Sequence, residues 1–228
     1  MLLNSLDALA KQERCARCTR PLHICICDKL PQEKLASPVE IVILQHPQES
    51  DVVLGTAPLV TAMVQRAETR VGLSWPSLEA ALGRKVERDR WAVLFASKLT
   101  PELVQRLAKE RVLLLDRHDQ LRAPGAVALE GFIVLDGTWS QAKTLWWRNP
   151  WLLKLERIAL QPREPSMYGK LRKEPRREWV STLEAIADVL PVFDKSAEGT
   201  RTELRRLMRT SLQRVRDALE KPAPDTNV

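Results

Sequence analysis

Cysteine is confined to one short stretch: all four fall between positions 15 and 27, and none follows. That distribution excludes a scattered disulfide framework. No stretch approaches the roughly 20 consecutive apolar residues a membrane span needs. The N-terminus lacks a charged start followed by a long apolar region, so no secretory signal is read. The expected location is the cytoplasm, with no membrane partner. Internal repeats are not visible. Acidic residues are outnumbered, 29 against 36 basic ones, giving a net charge of +7 and a pI near 9.5. A basic balance favours polyanionic partners through phosphate contacts and counterion release; a generic basic surface is the plainer reading. Hydrophobic residues make up 44 % and charged ones 29 %, a globular rather than disordered balance. At 228 residues, the chain allows one large domain, or one domain with a small appendage.

Three parts are expected: a lead-in with a cysteine-rich knuckle at 1–36, a core at 37–195, and a basic helix and tail at 196–228. Residues 1–14 place Leu2, Leu3, Leu6 and Leu9 at rough helical spacing. In the core, strand-like and helix-like segments alternate. Strands are expected over 39–44, 91–95, 111–115, 132–135 and 155–160. Helices are expected from Ala57 to Arg70, with Leu59, Ala62, Met63 and Ala67 on one face, and then over 101–110, 140–149 and 180–190. Continuous apolar strands between helices predict an α/β fold with a parallel sheet covered on both faces. Residues 199–221 read as a basic amphipathic helix, with Leu204, Met208, Leu212, Val215 and Leu219 on its apolar side.

Cys15-x2-Cys18-x6-Cys25-x-Cys27 places four thiols within one loop. Four thiolates so spaced can close a tetrahedral structural Zn²⁺ site with no open position. Iron–sulfur ligation competes, redox chemistry of Cys15 and Cys18 leaves the other pair unexplained, and four unrelated thiols is the plainest alternative. Arg14, Arg17 and Arg20 make this knuckle basic, which suits contact with RNA.

Asp136-Gly137-Thr138-Trp139 stands between the apolar run Phe132–Leu135 and the helix that follows. The C-terminal end of a strand is where open α/β sheets place ligands. Asp136 is either a cap or a general base or orienter. Thr138 is a cap, a free hydroxyl, or both. Trp139 is core or a stacking platform. The loop Gln45–Glu49 is expected on the same edge, with His46 as base, donor or loop-fixing residue. A loop from Gln161 to Pro175 combines basic residues with Tyr168, the only tyrosine, and suits an RNA backbone and an unstacked base, or simply solvent. Ser181 and Thr182 start the next helix, with Glu184 in its first turn.

These pieces resemble the DTW-domain family of tRNA-uridine aminocarboxypropyltransferases. The resemblance rests on Cys15-Ala-Arg-Cys18 with Cys25-Ile-Cys27, Leu44-Gln-His46-Pro-Gln-Glu49, Leu135-Asp136-Gly-Thr-Trp139-Ser-Gln-Ala, Tyr168-Gly-Lys-Leu-Arg172-Lys-Glu-Pro175 and Ser181-Thr-Leu-Glu184-Ala. They come in the family's order and span about residues 15–187. One stretch departs: where relatives carry an asparagine- or serine-rich segment, this chain has Asp51-Val-Val-Leu-Gly-Thr56-Ala-Pro-Leu, in which Thr56 stands as the substitute. The resemblance implies a SPOUT-like α/β fold, a C-terminal knot being one form of it, and residues 37–195 as the catalytic core. It implies transfer of the 3-amino-3-carboxypropyl group from S-adenosylmethionine to N3 of a tRNA uridine, position 47 being suggested by the bacterial branch, with release of methylthioadenosine. Asp136 would be the catalytic residue. His46, Leu135, Gly137, Thr138, Trp139, Gln141, Tyr168, Ser181 and Thr182 would hold the cofactor. Arg163, Lys170, Arg172, Lys173 and Arg176 would hold tRNA phosphates, and the four cysteines structural zinc. Monomer or weak homodimer is the expected state.

Overall fold

A computed structural model describes residues 6, 8–95, 99–123, 126–172 and 180–220. Its frame is one six-stranded sheet: β1 (Glu40–Gln45), β2 (Ala67–Val71), β3 (Trp91–Leu94), β4 (Val112–Leu115), β5 (Gly131–Asp136) and β6 (Glu156–Leu160). The spatial order is β2-β1-β5-β3-β6-β4. All neighbours run parallel except β4, which pairs antiparallel with β6 at the edge. The expected sheet is therefore mostly parallel, with one reversed edge strand. The helices are α1 (Ala57–Met63), α2 (Leu78–Leu82), α3 (Pro101–Glu110), α4 (Trp139–Arg148), α5 (Thr182–Phe193) and α6 (Glu198–Glu220).

The central strands explain the two-layer cover. Ile41, Ile43, Phe132 and Val134 enter one core with residues of α1, α5 and α6, whereas Val42, Leu44 and Ile133 enter another with α2 and Trp151. Alternate residues point to opposite faces, so a strand apolar at every position needs cover on both. Each fully buried Ile or Leu contributes about 1.5–3 kcal/mol on transfer from water. Gly131 is required where β5 starts: a Cβ there would lie 2.6 Å from the Trp91 ring and 2.8 Å from the Glu40 carbonyl.

One helix is shorter than its periodicity suggests. The pattern predicts a helix from Ala57 to Arg70, but α1 stops at Met63 and Ala67–Val71 is β2. Arg66 turns the chain at φ 54°, and the Leu35 backbone bonds to Met63 and Gln65 on either side of the helix end. Ala67 matches a helical step from Met63 by coincidence; the β-branched Thr69 and Val71 lie in an edge strand, where an unbroken apolar signal is absent. Helix α2 also lay outside the expectations.

The knuckle and the C-terminal helix share the first core. Leu9, Cys18, Ile24 and Ile26 are buried with Leu204, Leu207, Met208, Leu212 and Val215. No helix among the described residues is long and apolar enough to cross a membrane.

Candidate functional site

Parallel strands deliver their C-terminal ends to one edge. In the β1–β5 ladder Gln45 stands opposite Asp136, and the His46 N–H donates to the Asp136 carbonyl at 3.0 Å. The two motifs expected on one edge are thus joined. The Asp136 side chain is buried. Gln45 Nε2 donates to its Oδ2 at 2.7 Å, and the Thr182 hydroxyl donates to its Oδ1. Two donors from two further elements fix the carboxylate's orientation, which leaves lone pairs with no further donor among the described residues.

Gly137 follows at φ +154°. A Cβ there would lie 2.8 Å from Gln141 Cβ and 3.4 Å from His46 Cβ, so both the dihedral and the crowding call for glycine. Thr138 and Gln141 form a capping box on α4: the Gln141 N–H donates to Thr138 Oγ1, and the Thr138 N–H to Gln141 Oε1 at 2.6 Å. Gln141 also donates to Gln48 at 3.3 Å, tying α4 to the loop after β1. The capping reading of Thr138 therefore holds. His46 caps its own turn, its Nδ1 accepting from the Gln48 N–H at 3.2 Å. Trp139 is half-exposed, Trp146 stacks on Phe95 at 4.0 Å, and Trp151 is buried.

The opposite wall is built by the start of α5. Ser181 and Glu184 form a second capping box, and Glu184 also accepts from the Ser166 hydroxyl at 3.0 Å and the Met167 N–H at 2.9 Å. This buried glutamate pins the tyrosine loop against the helix. Tyr168 is itself buried, and its hydroxyl donates to the Leu54 carbonyl at 2.7 Å. Burial pushes its phenol well above the ordinary range. Thr56 accepts from the Leu183 N–H at 3.2 Å, so the segment that departs from the family pattern still reaches the site.

These elements enclose a cleft of about 170 Å³ lined by Glu49, Thr56, Leu94, Val134, Leu135, Asp136, Gly137, Tyr168, Arg172, Val180, Ser181, Thr182 and Ala185. Arg172 pairs with the buried Glu49 at 2.5 Å and lies 5.7 Å from the Tyr168 ring centroid. Burial raises the Glu49 carboxyl against the opposing pull of Arg172. Arg172 thus lines the cleft; Arg163 and Lys170 are exposed on the surface. Lys173 and Arg176 lie outside the described residues. Sequence reasoning left Gln45 and Glu49 without roles, although both lie inside motifs it singled out; Glu184 appeared there only as a first-turn residue.

The four cysteines converge as expected, with their Sγ atoms within 4.8 Å of one another, a set that could hold a metal ion. Thr19 supplies a left-handed turn at φ 57°, and the Cys15–Arg20 and Thr19–Cys15 backbone bonds, both 2.8 Å, close the loop. His23 is exposed and outside this set. Of the three knuckle arginines, Arg20 is buried and donates to the Val53 and Gly55 carbonyls, and Arg14 to the Thr19 and Asp51 carbonyls. Only Arg17 of the three is exposed, so the expected basic RNA face is mostly a set of internal struts.

The chain is similar to several curated proteins. It is 30 % identical over 215 residues to "tRNA-uridine aminocarboxypropyltransferase 2" of Macaca fascicularis, covering 89 % of this chain and 63 % of that protein. It is 29 % identical to the protein of the same name from Mus musculus, covering 82 % and 58 %, and 30 % identical to "tRNA-uridine aminocarboxypropyltransferase A" of Arabidopsis thaliana, covering 87 % and 79 %. The chain spans about three fifths of the length of the two mammalian relatives. No solved structure matches it. The DTW domain model matches residues 12–216, across both the knuckle and the cleft, and the chain belongs to the DTW domain family.

Proposed function

We propose that this protein is a tRNA-uridine aminocarboxypropyltransferase that uses S-adenosylmethionine as donor, uridine N3 as acceptor and releases methylthioadenosine. The observation that carries this reading is the buried Asp136, oriented by Gln45 and Thr182 at the end of β5 in a chain whose relatives bear that name. The cleft fits the donor chemically. Among the described residues two carboxylates, Glu49 and Asp136, outweigh one guanidinium, Arg172, which suits a molecule of net positive charge; Leu94, Val134, Leu135 and Val180 supply an apolar wall. When bound, the donor provides an electrophilic γ-carbon and a neutral leaving group that needs no acid.

The chain's own residues do the rest. Asp136 accepts or orients the N3 proton, which must leave for the uracil ring to become a good nucleophile. Gln45 and Thr182 hold it in place, a preorganisation that proximity catalysis requires. The backbone at Gly137 and the hydroxyl oxygens of Ser181 and Thr182, whose protons go to Glu184 and Asp136, line the cleft and would hold the cofactor. Arg163 and Lys170 offer phosphate contacts to tRNA, and uridine 47 is the proposed target.

The SPOUT-like assignment belongs to the same reading. Its support is a mostly parallel sheet in which, after β6, Tyr168 and Arg172 contact the segment after β1, and Thr182, at the start of α5, contacts Asp136 at the end of β5. The metal reading is structural zinc: Cys18 and Cys25 Sγ are 3.7 Å apart and Cys15 and Cys27 Sγ 3.5 Å, against about 3.8 Å for a tetrahedron with Zn–S near 2.3 Å.

The test is incubation with tRNA and S-adenosylmethionine. An aminocarboxypropyl mass gain on a uridine, with methylthioadenosine released, is the expected result. A methyl gain with adenosylhomocysteine overturns it in favour of a methyltransferase, and tRNA binding without modification in favour of an RNA-binding protein.

A further inference from the structure

The charges of the cleft are arranged in a way the catalytic role of Asp136 does not use. Among the described residues lining it, Glu49 and Arg172 form a pair of opposite sign. Glu49 is 4 % exposed, held at the start of the cleft by the turn after β1. Only its Oε1 has a hydrogen-bond partner among the described residues, the Arg172 guanidinium. Burying the Glu49 carboxylate in such a pair is costly, and the pair is weak as a stabilising device. It is a better match for a ligand that carries both charges.

The charges of the cleft narrow what that ligand part is: a dipolar arm, with an α-ammonium and an α-carboxylate on a short aliphatic chain. Adenine and ribose carry no charge, so neither offers an opposite charge to Glu49 or Arg172.

The geometry points to a zwitterion clamp: Arg172 receives the α-carboxylate and Glu49 the α-ammonium of the methionine portion of S-adenosylmethionine. This rests on the proposed donor and adds the part of it the protein reads. It also places Arg172 with the donor rather than with a tRNA phosphate, in keeping with its half-buried position beside Tyr168. Holding both ends of the amino acid fixes the aliphatic chain between them and the sulfur. The carbon next to sulfur on that chain is then restrained, whereas the methyl group is not. Transfer of aminocarboxypropyl in place of methyl is a matter of such positioning.

The test is calorimetric binding of three probes: S-adenosylmethionine, its decarboxylated analogue and methylthioadenosine. In the unsubstituted protein, loss of the carboxylate weakens binding about 10- to 100-fold, as expected for a charge-assisted contact. In Arg172→Met the first two probes bind equally, and methylthioadenosine binds as before. Arg172→Lys recovers part of the difference. Glu49→Gln weakens both amine-bearing probes and spares methylthioadenosine. Unchanged binding of S-adenosylmethionine to Arg172→Met overturns the clamp, and so does a parallel loss of methylthioadenosine binding, which marks a collapsed cleft. If the unsubstituted protein binds S-adenosylmethionine and modifies tRNA while Arg172→Met keeps its preference for the carboxylate, only the clamp fails. If the unsubstituted protein binds none of the three, the donor assignment itself fails and the clamp with it.

Discussion

The cysteine knuckle and the strand-end cleft are both polar clusters set into apolar surroundings, and they are completed in opposite ways. In the knuckle, every arginine that reaches inward is bound to a backbone carbonyl, and the four sulfurs face one another. In the cleft, the polar side chains are restrained pairwise, yet the walls leave room between them. The first arrangement is closed and suits a structural ion. The second is open on one side and suits a substrate. On the proposed function, similar buried polar residues serve stability in one region and chemistry in the other, and experiments that separate the two should give different readouts.

Metal removal is the harshest way to break the contrast. A strong chelator under reducing conditions should lower the melting temperature by more than about 10 °C, since metal binding in such sites is folding free energy; scanning calorimetry checks this, and an unchanged transition would remove the metal from the knuckle. Asp136→Asn should do the reverse. Turnover is expected to fall at least about 100-fold, while thermal melting and tRNA affinity stay close to the parent. Near-normal turnover would remove Asp136 from the mechanism.

Glu184 tests the boundary between the two kinds of region. It lies beside the cleft but accepts hydrogen bonds from Ser181, Ser166 and Met167. Glu184→Ala leaves those donors buried without a partner, at a cost of about 2–4 kcal/mol, or roughly 5–15 °C in melting temperature. Turnover should fall in proportion to the disturbed loop. Thr138→Ala is milder, about 1 kcal/mol for an exposed cap. A tenfold rise in KM for the donor would show that the Thr138 hydroxyl also touches ligand.

The smallest effect concerns the knuckle's tie to α6. Asp28 accepts from Arg214 at 2.6 Å, and that bond lowers its carboxyl from 3.8 to about 2. A depressed carboxyl stabilises the fold above its unfolded value and loses that contribution as pH falls through the folded one. Asp28→Asn should thus flatten the acid limb of the melting profile between about pH 4 and pH 2, and matter little near neutrality because the pair is exposed and screened.

The sequence made much of this frame legible. The apolar runs at 39–44 and 132–135 announced β1 and β5, Pro101 announced α3, and Ser181 with Thr182 announced the start of α5. Edge strand β2 was hidden because its residues are only partly buried, so no apolar run marked it. The roles of Gln45 and Glu49 were hidden for another reason. Each is defined by a partner 91 or 123 residues away, and no local pattern encodes such a pairing. Basic composition does not say which arginines face outward: Arg20, Arg201 and Arg214 are held by carbonyls or carboxylates within the protein.

Arg214 also has a consequence for synthesis. It donates to the Cys25 carbonyl across 189 residues, and the apolar side of α6 covers Ile24 and Ile26. At about 5–20 residues per second, the ligand loop leaves the ribosome some 10–40 s before the helix that seats it. The cysteines can capture an ion early, while the surface they will share with α6 stays exposed until that helix has emerged. A nascent chain stalled before residue 198 should therefore hold metal and still present a sticky face, which makes the emergence of α6 the step at which the knuckle is seated.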